Sequence, residues 1–180
     1  LLALCAGALA ALGGYNGSAQ ADGTIALAGG DGAYSQSFDT LASKGSSTTL
    51  PLGWSIVETG TTATADGRYR AFTPGSGAGD TYSFGTGGSS ERAFGGLRSD
   101  DLTPLLGVKF TNNTGAAIEG LAIGYTGEQW RLGSPNRGPD RLDFQFSTDA
   151  TSLTTGTWQD YDGLDFPSPT TSGPAGALDG

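Results

Sequence analysis

The sequence predicts an all-β fold, a sandwich or barrel of short strands joined by turns, and three observations carry that expectation. Glycine accounts for 32 of 180 residues, more than twice its usual share of about 7%, which disfavours long helices wherever it interrupts apolar segments. Apolar and aromatic residues fall in short runs of period two, and no segment sustains a period of 3.6. Connectors rich in Gly, Ser, Thr and Asp, such as 73–80 and 85–90, separate those runs at short intervals. Leu, Ile, Val and Phe make up under roughly 20% of the chain, so composition alone leaves disorder open. The charged fraction of 15% and the placing of 3 Trp, 6 Tyr and 8 Phe in alternating runs argue instead for half-buried sheet. The length fits one domain.

In chain order, residues 1–12 read LLALCAGALAAL without a charge, followed by Gly13, Gly14 and a polar stretch ending in Ala19-Gln20-Ala21. That pattern matches an apolar h-region and an A-x-A cleavage site, so residues 1–21 are read as an export signal lacking its basic start. Met is absent, and the chain is expected to be a segment of a longer protein. A membrane-spanning helix competes, but about a dozen apolar residues reach only roughly 18 Å across hydrocarbon about 30 Å thick. A lipoprotein signal at Cys5 is a third reading, and the large Leu4 just before the cysteine speaks against it. Cleavage after Ala21 would leave no cysteine, hence no disulfide, thiol nucleophile or thiolate metal site. Residues 22–34, rich in Gly, Ala and Asp with little apolar mass, are expected to be a linker. Residues 35–180 form the expected sandwich domain.

The clearest strand pattern is Leu106, Val108 and Phe110, with Gly107 and Lys109 on the opposite face, closed by the turn signal Asn112-Asn113-Thr114-Gly115. Beyond that turn Ile118, Leu121, Ile123 and Tyr125 continue an apolar pattern, with Ala122, Gly124 and Thr126 facing the other way. The two runs are expected to pair as an antiparallel hairpin. Leu142, Phe144 and Phe146 alternate with Arg141, Asp143, Gln145 and Ser147, a strand with one apolar and one wet face. Shorter strands are expected at 54–59, 68–72, 81–84, 93–97 and 155–159, and residues 167–180 read as a long loop or tail.

Lys and Arg number 9 against 18 Asp and Glu, a net charge of −9, which repels phosphate backbones and anionic lipid. Nucleic acid is therefore not an expected partner, and membrane contact is expected only through the signal or a C-terminal anchor. The absence of His removes Ser-His-Asp and Cys-His constellations, imidazole ligands and imidazole switches together. Arg137-Gly138-Pro139-Asp140 and the glycine clusters carry no P-loop or dinucleotide fingerprint and read as turns.

Three constellations remain. Asp160, Asp162 and Asp165, with Gly163 to turn the chain, offer hard oxygen ligands to calcium, and Asp140 and Asp143 would add to them from a neighbouring loop. The full twelve-residue calcium loop and its closing glutamate are absent, so a solvated acidic turn is the competing reading. Glu128, Trp130 and Arg131 combine an indole with a carboxylate and a guanidinium, a mix suited to a sugar ring. Alternatively Trp130 is core and Arg131 pairs with Asp140 or Asp143. Paired carboxylates are the one broad hydrolytic mechanism left, but Glu58, Glu91, Glu119 and Glu128 fit no glucanase spacing, and no catalytic residues are expected.

The ordered series Phe38-Asp39, Leu50-Pro51-Leu52-Gly53-Trp54, Gly79-Asp80-Thr81-Tyr82-Ser83-Phe84-Gly85, Phe110-Thr111-Asn112-Asn113-Thr114-Gly115 and Gly124-Tyr125-Thr126-Gly127-Glu128-Gln129-Trp130-Arg131 resembles a domain of secreted bacterial proteins. In that family the domain often stands upstream of a PEP-CTERM sorting tail or beside extracellular nuclease or lamin-tail-type modules. The resemblance continues through 141–147 and 152–158. It implies a jelly-roll-like antiparallel β-sandwich with further strands after a segment similar to Ala177-Leu178-Asp179-Gly180, so the sandwich is expected to be truncated at its C-terminus. The function expected is that of an exported, non-catalytic cell-surface module contacting extracellular polysaccharide or surface matrix. The alternative is an accessory domain of a larger secreted hydrolase whose catalytic residues lie elsewhere.

Overall fold

Two β-sheets lie face to face and bury their apolar rows between them. The structure, a computed structural model, describes residues 2–5, 15–21, 23–28, 33–136 and 138–180. Residues 1 and 6–14 of the expected signal, 22 and 29–32 of the expected linker, and Arg137 of the expected 137–140 turn lie outside those residues.

In chain order the strands are β1 (Leu2–Cys5), β2 (Tyr15–Gln20), β3 (Ile25–Leu27), β4 (Ser46–Ser47), β5 (Trp54–Gly60), β6 (Tyr69–Ala71), β7 (Asp80–Phe84) and β8 (Ala93–Leu97). They continue with β9 (Leu102–Val108), β10 (Phe110–Asn112), β11 (Arg131–Leu132), β12 (Arg141–Phe146), β13 (Gln159–Asp160), β14 (Phe166–Pro167) and β15 (Gly176–Ala177). The large sheet runs β13-β12-β1-β9-β5-β2, with β14 also on β12, and the smaller sheet runs β4-β6-β7-β8. Pairing is antiparallel except between β6 and β7 and between β3 and β10. The expected all-β class, with antiparallel sheets packed together, is the class the chain adopts. Among the described residues no helix is long and apolar enough to cross a membrane.

Strand β5 shows why the sheets stack. Its register with β9 sets Trp54 opposite Val108 and Ile56 opposite Leu106, and these four join Tyr69, Leu41, Leu50, Ala19 and Ile25 in the main core. Each large side chain so buried stabilises the fold by about 2 kcal/mol. The rings meet at their edges, with Phe38 against Trp54 at 4.7 Å and 80°, the geometry that ring quadrupoles favour. Polar tips are met as well. Trp54 Nε1 donates to Tyr34 Oη at 2.8 Å, and Tyr69 Oη donates to the Thr49 carbonyl at 2.9 Å. On the other face of β5, Val57 packs with Leu153, Leu105 and Trp158.

The N-terminal segments belong to this architecture. Residues 15–20, expected to end a leader, pair along β5 from Tyr15 opposite Thr59 to Gln20 opposite Ser55, and the Ala21 N–H donates to the Trp54 carbonyl at 2.9 Å. A Cβ on Gly17 would sit 2.1 Å from Gly67 N, and Gly67 itself has φ +72, so only glycine fits this crossing. Within the expected linker, Ile25 is buried in the main core and β3 pairs with β10.

The expected hairpin does not form. The strand at 106–110 divides into β9 and β10, β9 lies between β1 and β5, and residues 117–130 carry no strand, turn or bend. The reason is the register: both edges of β9 are already taken, and β10 takes β3. The short strands expected at 54–59, 68–72, 81–84 and 93–97 fall on β5, β6, β7 and β8, and the alternating strand expected over 141–147 falls on β12, whereas of 155–159 only Gln159 is in a strand, β13. The tail contributes β14 and β15, which pair with β12 and β11.

Candidate functional site

The expected sugar platform is folded inward. Trp130 covers the outer face of the smaller sheet, stacked on Phe84 at 6.2 Å and 19° and set edge-on to Phe72 at 6.5 Å. Its indole N–H donates to Glu128 Oε2 at 2.7 Å, and a Cβ on Gly180 would touch the far side of the ring at 3.0 Å. Asp143, one of the partners expected for Arg131, is taken by Arg141, which also ion-pairs with Asp165 at 3.1 Å. The Arg131 guanidinium lies against Gly77. Between Glu128 and Trp130, Gln129 accepts from the Thr170 N–H at 2.8 Å and donates to the Thr170 carbonyl at 2.9 Å. This corner therefore holds the tail against the smaller sheet.

Two of the three expected calcium ligands, Asp160 and Asp165, are engaged by other side chains and backbone of the chain. Asp165 Oδ1 accepts the Phe144 N–H at 2.8 Å while its other oxygen faces Arg141. Asp160 accepts from Gln145 Nε2 at 2.5 Å on the exposed β13, and Asp162 opens the 3-10 turn Asp162–Leu164. Among the described residues no three His, Cys, Asp or Glu side chains are grouped to hold a metal ion.

The most tightly built polar cluster is one that sequence reasoning passed over. Glu58 of β5 and Asp80 of β7 are both 0% exposed and bridge the two sheets. Glu58 accepts the Gly67 N–H at 2.9 Å and the Thr81 N–H at 3.1 Å. Asp80 accepts the same Thr81 N–H at 2.8 Å, lies beside Glu58, and ion-pairs with Arg70, which also holds Asp66 at 2.7 Å. Burial pushes the Asp80 carboxyl up to about 7, with Glu58 adding to the rise and Arg70 opposing it. Thr81 Oγ1 is buried beside them without a hydrogen-bond partner. The signal was present: Glu58 shares the inward parity of Trp54 and Ile56. With both carboxyls closed off from solvent, the pair has no route to a substrate.

Two cavities sit elsewhere. One of about 300 Å³ between β2, β5 and the 152–154 loop is lined by no ionisable side chain. Another of about 210 Å³ between 124–127 and 163–166 has Asp165 as its one carboxylate. Neither offers the pair of acids that glycoside hydrolysis needs.

Four of the exposed large apolar residues fall in the segment left over from the missing hairpin. Leu121 is 53% exposed, Ile123 and Tyr125 are each 37% exposed and Ile118 is 36% exposed. From 117 to 129 no backbone hydrogen bond to another backbone group occurs among the described residues. The Tyr125 hydroxyl donates to the Leu164 carbonyl, and Gly127 abuts Phe166, which anchors the segment's end. A strand pattern thus lies on the surface with its ladder groups unused among the described residues. No family model, curated protein or solved structure matches the chain.

Proposed function

We propose that the chain is a non-catalytic β-sandwich module, jelly-roll-like in plan and part of an exported or cell-surface protein, that works by contact through residues 117–127. One observation carries the reading: an alternating apolar segment is exposed with its backbone groups unpaired, which is the template for strand addition. The likeness of the motif series from Phe38 to Arg131 to a domain of secreted bacterial proteins supports export. Contact by strand addition is the favoured mode. Polysaccharide at Glu128, Trp130 and Arg131, and calcium at Asp160, Asp162 and Asp165, draw less support, because most of these groups are engaged within the chain. The test is a synthetic peptide of residues 117–127 added to the intact protein. Fluorescence anisotropy is expected to show saturable binding, lost when alternate peptide nitrogens are methylated; no binding of the unmodified peptide would sink the contact reading.

A further inference from the structure

We infer that the occupant of this edge is a second copy of the chain, paired antiparallel through residues 120–126 about a two-fold axis at Ile123. The inference rests on the contact reading above and adds its partner and register. Isologous pairing suits a single self-complementary strand. Centred on Ile123, the pairing sets Leu121 opposite the mate's Tyr125 and Ile123 opposite its own mate, so one face carries a continuous apolar row of six side chains. The other face presents Gly120, Ala122, Gly124 and Thr126, small enough for close approach. Centring on Ala122 instead would set Glu119 against Tyr125 and break that row.

Charge favours the same register. Glu119 is the one charged residue between 116 and 127, and about Ile123 it faces Gly127 of the second copy. The two Glu119 side chains then stand about 27 Å apart at about 3.4 Å per residue, well beyond a screening length of about 8 Å. The stretch also lacks the Lys, Arg and Pro residues that guard natural edges. A ribbon about 24 Å long covers far less than the ~1,600 Å² of a standard interface, so the dimer dissociates on dilution. Each copy carries −9, so added salt strengthens it.

Sedimentation of the intact chain from micromolar to millimolar concentration tests this. A monomer–dimer equilibrium that tightens with salt is expected, and Ile123→Lys, which sets two like charges face to face, is expected to fold normally and stay monomeric. Register is read separately in a Cys5→Ser background. Ile123→Cys should form an intermolecular disulfide on mild oxidation, since directly opposed Cα atoms lie within its span. Gly120→Cys, about 20 Å from its mate, should not. A wild-type chain that is monomeric throughout, an Ile123→Lys variant that still dimerises, or cross-linking at 120 in preference to 123 would overturn the inference. Peptide binding by a chain that stays monomeric would remove the second copy and leave the contact reading standing.

Discussion

The interior around Glu58 and Asp80 and the surface stretch from 117 to 129 are opposites made from the same material. In the first, a charged side chain on an inward strand position is met by two backbone N–H groups and a second carboxyl. In the second, an apolar alternation of at least equal regularity has no partner strand and lies half in water. Side-chain pattern decides whether a segment is extended; whether it becomes a strand of a sheet depends on a free edge to receive it. Strand β9 gives one side to β1 and the other to β5, and β10 takes β3, so the strand that 117–129 would have joined as a hairpin has no side left for it.

The largest effect expected from testing that contrast is at Glu58. Glu58→Ala strands the Gly67 N–H in the interior and removes the bridge between the sheets, and should cost about 3 kcal/mol or more in urea unfolding. A loss under about 1 kcal/mol would mean the cluster is far wetter than its burial implies.

Next comes pH. The folded-state value of Asp80 lies above the ordinary one, so the folded chain holds this proton more tightly than the unfolded chain. The stabilisation is complete below about pH 4 and is lost as pH rises through about 7. Between those limits stability should fall by at most about 1.4 kcal/mol per pH unit. The slope should flatten in Asp80→Asn, and a wild-type curve rising over the same range would break the assignment.

A smaller effect of opposite sign is expected at Thr81, whose buried hydroxyl is unmatched. Thr81→Val keeps the shape and removes the unmet group, and calorimetry should show a gain of about 1 kcal/mol. Smallest is Leu121→Lys on the exposed stretch, where monomer stability should change by less than about 0.5 kcal/mol. A large loss there would mean that the segment is packed after all.

Much of the fold was legible from period alone. Strands β5, β7, β8 and β12 follow the alternation, because their positions inside a sheet agree with their side-chain pattern. The same rule failed at 118–125, since a local pattern carries no information about which edges remain free. It failed in the other direction at Ile25, in a Gly/Ala/Asp-rich stretch of little apolar mass that the main core nonetheless recruits. At the candidate site, Trp130 was legible as an aromatic beside Glu128, but its direction was set by Phe84 and Phe72, far away in sequence. Asp165 was legible as an acid and unreadable as a partner of Arg141 and the Phe144 N–H, because loop carboxylates take whichever donors the strands bring near.

The tail's attachment has a mechanical consequence. Residues 166–180 are held by short pairs at β14 and β15, the amide of Gln129 on Thr170, and the Leu178 N–H on the Trp130 carbonyl at 2.9 Å. These bonds follow one another along the chain, so a pull on the C-terminus loads them one at a time, like a zip. The paired rows of β5 and β9, loaded along their length, resist together. Tension on the C-terminus would therefore pay out the tail first, lengthening the molecule while the two sheets stay intact.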